Sequence, residues 1–302
     1  MVQADPNDHH YVPKFYLRRF ACADDVNKVS ILERHRDAIS ADRKSIDRIG
    51  YEERLHDYQS DGRSASIEGV LNKAIETPFS KSSTWRKIVT GHCAELREED
   101  RLPLYGFARH LQLRNVQMLR FIESQSRRFL AGELDAELTQ EERDMHLWIS
   151  STPGAAHELF RAGVLATSLP ADAASVTVMV CEAPIPLRSS TNPTITLSHP
   201  GSPSPFSAIF GASRTWWLPL NCQWGTLIIA TGSAAFSICA LPIEPVQLIN
   251  RYYVTQLLEG DARYTIANDQ FIEEDLRWAG FALAPQPASG SRYRARYKKK
   301  RN

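Results

Sequence analysis

Two histidines, a proline and several aromatic rings crowd into HHYVPKFYLRRF, residues 9–20, where a frayed and tolerant chain end is the ordinary expectation. Imidazoles in such a stretch either satisfy carbonyls in a core or line a site, and His10 in a site would be a proton donor. Two other polar groups raise the same choice. Arg114 falls at the edge of an apolar helical stripe, where a guanidinium needs an acceptor to offset its lost hydration. A structural ion pair with a core carboxylate satisfies that need, and so does a role in a site. Asn192 sits in the turn STNPT, with an amide able to orient water. Together His10, Arg114 and Asn192 are candidate catalytic residues for hydrolysis of a nucleoside bond. That reaction passes through an oxocarbenium-like sugar, so it needs an oriented water, donors for the departing base and a tight pocket more than a strong nucleophile.

An extruded base needs aromatic walls. Tyr11, Tyr16, Trp216 and Trp217 are candidates for that contact, and His199 for donation to the base. The alternative for the tryptophans is sheet core, and adjacent residues of a strand face opposite sides, so at most one of the two lines a given surface. Other chemistries lack their patterns. The chain has no HExxH, no paired DxD, no Cys/His quartet, no phosphate-cradling glycine loop and no GxSxG elbow. No metal and no cofactor is expected.

Net charge over 302 residues is +1, but it is unevenly divided. Residues 290–302, GSRYRARYKKKRN, hold seven Lys/Arg and no acid, leaving 29 basic against 35 acidic residues elsewhere. A basic end with interleaved tyrosines, Tyr293 and Tyr297, suits single-stranded nucleic acid, with Arg292, Arg294 and Arg296 as binding candidates. A merely solubilising end is the alternative. No apolar run is long enough to span a membrane. The five cysteines, Cys22, Cys93, Cys181, Cys222 and Cys239, are scattered and never in a CxxC pair. Free thiols in a reducing compartment follow, and with no secretory pattern at the start the expected location is cytoplasmic.

These groups need elements to position them. KVSILE (28–33) reads as a short strand, SASIEGVLNKAIET (64–77) as a helix limited by Pro78, and 102–134 as one long amphipathic helix carrying Arg114. LTQEERDMHLWISS reads as a further helix. From residue 175 the texture changes to short β-branched and aromatic runs at 175–183, 194–199, 215–220, 224–231 and 235–242. Helices at 245–260, capped by Gly260, and at 271–280 follow. The predicted class is α+β: an N-terminal helical half packed with a mostly antiparallel or mixed sheet and C-terminal helices. One domain over 1–285 and a flexible basic tail over 286–302 are expected.

The opening HHYVPKFYLRRF resembles that of a bacterial family known as domain of unknown function 4238. IGYEERLHDY (49–58) with IEGVLNKAIE (67–76) resembles the family's Gly-acid-Tyr segment and its spaced glutamates, here Glu68 and Glu76. HLQLRNVQMLR (110–120) resembles its arginine helix and singles out Arg114. RSSTNPTIT (188–196), WWLPLN (216–221) and LINRYYV (248–254) resemble its Thr-Ser-Asp-x-Pro turn, Leu-Pro-Leu strand and Asn-led helix, with Thr191 where the family pattern has aspartate. The resemblance implies no reaction. STNPT with HPGSPSPFS (199–207) also resembles, locally, two site motifs of the uracil-DNA glycosylase superfamily. Asn192 and His199 are only seven residues apart, whereas that superfamily separates its motifs by most of a domain.

The function these features favour is a metal-independent hydrolase acting on nucleic acid, preferably DNA, that excises bases in the manner of an N-glycosylase. Antiphage defence is a biological setting that suits it. The alternatives are a nuclease, and a non-catalytic nucleic-acid-binding or toxin-like interaction protein, which the Thr191 departure supports.

Overall fold

The opening segment HHYVPKFYLRRF is anchored in the core. Asp8–His10 form β1, paired antiparallel with β5 (Tyr51–Glu53) so that His10 lies opposite Tyr51. Pro13, at φ −61°, starts α1 (Lys14–Leu17), and a 3-10 turn over Arg18–Phe20 follows. Val12, Tyr16, Leu17 and Phe20 are buried. Val12 presses on Gly50, whose φ is 65° and where a Cβ would lie 2.7 Å from the Val12 Cβ. Glycine is required there both by conformation and by space. The computed structural model describes residues 8–60, 63–134, 138–166, 174–198, 214–267, 273–284 and 295–300.

Two larger sheets carry most of the strands. The first begins with β2 (Ala21–Cys22), β3 (Asp25–His35) and β4 (Ala38–Ser45), and gains β9 (Ser189–Ser190), β14 (Tyr264–Ala267), β15 (Phe281–Leu283) and β16 (Ala295–Lys299). Its order is β15-β16-β4-β3-β14-β9, with β2 pairing β3, and all its pairings are antiparallel. The second has order β10-β11-β12-β8-β13, from β8 (Val176–Glu182), β10 (Ile195–Ser198), β11 (Thr215–Pro219), β12 (Trp224–Ala230) and β13 (Ala235–Ala240). Among the described residues only its β13–β8 pairing is parallel. A separate hairpin joins β6 (Asp57–Ser60) to β7 (Arg63–Ser66). The fold is therefore α+β, and its second sheet occupies the runs expected from β-branched and aromatic content.

The helices depart from expectation in ways that shape the site. Residues 64–66 belong to β7, and the helix begins at α2 (Glu68–Leu71), passes through a π-helical turn (Asn72–Glu76) and ends as α3 (Thr77–Ser80). Pro78 does not stop it: the wider π turn carries the chain past the residue that lacks an N–H. After α4 (Ser83–Val89), the long helix expected over 102–134 is two: α5 (Arg101–Leu113) and α6 (Val116–Leu130). Asn115 makes the break, its side chain accepting the Met118 N–H at 2.7 Å as a new N-cap. α7 (Gln140–Ser151) starts at a Thr139/Glu142 capping box, and α8 (Ala155–Ala166) is a helix absent from the expectation. α9 (Ile243–Glu259) ends at Gly260, φ 90°, and α10 (Glu273–Trp278) follows. Val246, Ile249 and Tyr253 of α9 pack with the second sheet, Val254 and Leu257 with the first.

Three expectations for individual residues are corrected by packing. Within the tail expected to be flexible, Ala295–Lys299 form a strand on β4, and Tyr297 is buried in the core and offers no stacking surface. Tyr16 is fully buried, its hydroxyl 3.0 Å from Ser189 Oγ and donating to the Pro219 carbonyl at 2.8 Å. Trp217 is fully buried as well, laid over Gly225 on the neighbouring strand so that any Cβ at 225 would enter the indole. Neither Tyr16 nor Trp217 can sandwich a base. Gly225→Ala is expected to lower stability by about 2–3 kcal/mol through this overlap, measured as a reduced urea midpoint with the far-ultraviolet circular dichroism retained.

Candidate functional site

The break between α5 and α6 turns Arg114 inward. As the C-cap that follows Leu113 it has φ −80° and ψ 27°, and its guanidinium has no exposed surface. Nη2 donates to Glu68 Oε2 at 2.6 Å, and Nη1 meets Glu76 Oε1. Residues eight apart on an uninterrupted α-helix lie about 80° apart around the axis. The π turn advances fewer degrees per residue, so Glu68 and Glu76 swing toward one face and reach the same arginine.

Further groups complete a buried polar chain. Glu68 Oε1 accepts from Asn72 Nδ2 at 3.1 Å, an i, i+4 pair on the same helix. Glu68 Oε2 also lies 2.6 Å from His56 Nδ1. The His56 backbone N–H donates to His9 Nδ1 at 3.0 Å, which places the His9 proton on Nε2, 3.6 Å from Asp57 Oδ1. The His9 and His56 rings stack at 5.5 Å, and Phe160 stacks on the other partner of that pair, His56, at 6.0 Å. On the far side, His110 Nε2 lies 3.4 Å from Glu76 Oε1.

Burial pushes the Glu68 carboxyl up, but the His56 hydrogen bond and the Arg114 charge outweigh it and hold it down at about 2. Burial lowers His56 to about 4, against the opposing pull of Glu68, and His110 to about 3. Both imidazoles are therefore neutral at pH 7, and two carboxylates face one guanidinium. The excess negative charge borders a cleft of about 590 Å³. Its floor includes Glu68, Asn72 and Glu76, and His10 and Phe15 line its side. Lys14 and Arg18 stand at its rim, Lys14 paired with Asp47 at 2.7 Å. Among the described residues, no group of three or more His, Cys, Asp or Glu side chains converges as metal ligands would.

The candidate residues separate as follows. His10 lines the cleft, its ring 5.5 Å from that of Tyr51, and Arg114 lies behind the carboxylates of the floor. Asn192 is not part of that cleft: its Oδ1 accepts from Asn115 Nδ2 at 3.3 Å, and its N–H is held by Ser190 Oγ. The amide at the cleft is that of Asn72. Tyr11 is buried and lines a different pocket of about 240 Å³ with Thr191 and Arg263, and burial raises its hydroxyl to about 12. Trp216 is buried, with the Arg109 guanidinium 5.0 Å from its ring. Arg296 is half-buried on β16, and His199, Arg292 and Arg294 lie outside the described residues. His9, His56, Asp57 and His110 have no signal in spacing, because each joins through tertiary contact. Asn72 had one, its position four residues after Glu68.

Two outcomes follow from this cluster. The unfolded chain takes up protons at His110 and His56 from about pH 6.5 downward, whereas the folded chain does so only near 3 and 4. Their stabilisation is complete above that range and is lost as pH falls through it, and the depressed Glu68 adds a further loss between 4.5 and about 2. Denaturant midpoints measured from about pH 8 to about pH 4 are expected to fall, and His110→Gln is expected to flatten the profile. Arg114→Met, which strands the buried Glu68 carboxylate and the half-buried Glu76, is expected to cost about 3–5 kcal/mol in urea unfolding at neutral pH.

No curated protein and no solved structure gives a significant match to the chain. Residues 8–152 match the family model described as a protein of unknown function (DUF4238). That span contains His10, Glu68, Glu76 and Arg114, so the whole cleft lies within it. The match covers just under half of the 302 residues, and over residues 8–152 the chain is similar to the DUF4238 family.

Proposed function

We propose that the protein is a hydrolase acting on nucleic acid, preferably DNA, and that it cleaves the N-glycosidic bond between base and sugar. The observation that carries this reading is the pair of carboxylates that share one guanidinium at the floor of a cleft with cations on its rim. As the C1′–N bond breaks, its electrons leave with the base and positive charge builds on the sugar. Two carboxylates against one arginine complement that charge. Glu76 uses Oε1 on Arg114 and His110. Its Oε2 has no donor among the described residues and is the atom assigned to orient the attacking water. A carboxylate that shares an arginine is a weak base, and attack on an oxocarbenium-like carbon asks for little more. Lys14 and Arg18 would hold flanking phosphates, and His10 would donate to the base. The step as written uses side chains alone. Such an enzyme fits a role in defence against phage.

A second reading, a non-catalytic nucleic-acid-binding module, draws on Lys298, Lys299 and Lys300, which are exposed on and beside β16. Incubation with single- and double-stranded DNA and RNA in a chelator separates the two. The first reading expects abasic sites, a loss of about 10²-fold or more in Glu76→Gln, and a raised KM with little change in kcat in Lys14→Ala/Arg18→Ala. Binding without abasic sites on every substrate would favour the second and end the first.

A further inference from the structure

A second cavity, of about 580 Å³, shares no lining residue with the cleft. Three elements face it. α9 presents Ile243 and Arg251, eight residues apart. The segment between β8 and β9 presents Ile185, Pro186 and Arg188, and α10 presents Asp275 together with Glu273, Glu274 and Arg277. Arg188 and Asp275 are 4 % and 5 % exposed, yet they are not satisfied by each other. Asp275 Oδ2 is buried with no hydrogen-bond partner, and Asp275 forms no ion pair among the described residues. Arg188 donates from Nη1 to the Pro186 carbonyl at 3.1 Å, while Asn250 Oδ1 holds its backbone N–H at 2.9 Å. Arg251 lies 5.5 Å from the Trp278 ring, and its buried Nε has no partner among the described residues.

These groups feel one another's charge without touching. Burial raises the Asp275 carboxyl to about 6, against the lowering pull of Arg188 and Arg251. Buried charges in native proteins are paired, and a carboxyl without an ion-pair partner among the described residues, beside two guanidiniums of which neither meets it, leaves room for a bridging group. The other charges on α10 do not fill it: Arg277 is 3.4 Å from Glu273 on the same helix, and Glu274 is a like charge that raises Asp275 further. A lone anion would satisfy the arginines and leave Asp275 unmatched; a lone cation would do the reverse.

We propose that this cavity binds a free α-amino acid with an apolar side chain. Its carboxylate meets Arg188 and Arg251, its ammonium meets Asp275 Oδ2, and its side chain lies on Ile185, Pro186 and Ile243. The volume falls within the range of small-molecule sites, and the polar groups are held by a strand-flanking segment and two helices.

Isothermal titration of the full chain with L-leucine, leucinamide and 4-methylpentanoate tests it. L-Leucine is expected to bind, and each analogue, lacking one of the two charges, to bind at least about tenfold more weakly. Asp275→Asn and Arg251→Gln are each expected to weaken L-leucine by about tenfold or more, with circular dichroism unchanged from the parent chain. Absence of binding by L-leucine, L-isoleucine and L-phenylalanine at about 10 mM would overturn the proposal. So would equal binding of 4-methylpentanoate, or L-leucine binding that survives both substitutions.

Discussion

Arg114 is fully enclosed, and an enclosed guanidinium keeps its charge only where carboxylates replace its lost water. Much of the N-terminal half is organised around meeting that condition. Arg114 is the C-cap of α5 and Asn115 the N-cap of α6, so the arginine leaves the helix at a point where it can turn inward. The π turn brings Glu68 and Glu76 into one phase. Those carboxylates in turn need donors, and His56, Asn72 and His110 supply them. Removing any member leaves another buried charge or polar atom uncompensated, which is why such networks act as a unit.

The same requirement explains the opening segment. His9 accepts the His56 N–H and so steadies the loop from which His56 reaches Glu68. His10, next in the strand, points to the other side and lines the cleft. Tyr16, Leu17 and Phe20 anchor the segment from below, within the largest apolar cluster. Core and site are thus alternate faces of one short stretch, and neither role excludes the other.

The cleft and the second cavity differ in how their charges are balanced. In the cleft, carboxylates outnumber the arginine that binds them, and the contacts are short and direct. In the cavity, guanidiniums and a carboxyl interact across space and leave a buried oxygen without a donor among the described residues. The first arrangement is closed by direct ion pairs. The second has room for the bridging group proposed above.

The α+β class, the strands of the second sheet, and the helices ending at Gly260 and starting at Thr139 were legible in the residues, because periodicity and capping are local properties. His10 and Arg114 were legible as polar groups in apolar settings, and Glu68 and Glu76 through family resemblance. Tertiary structure alone decided what those groups meet. Asn192 and the cleft part company because Asn115 claims its amide, and Tyr16 and Trp217 are enclosed because Ser189, Pro219 and Gly225, all remote from Tyr16 or across a sheet from Trp217, close over them. The break at Asn115 and the π turn before Pro78 each shift a helix by a fraction of a turn. Hydrophobic periodicity barely registers such a shift, yet the direction of an arginine or a glutamate depends on it entirely.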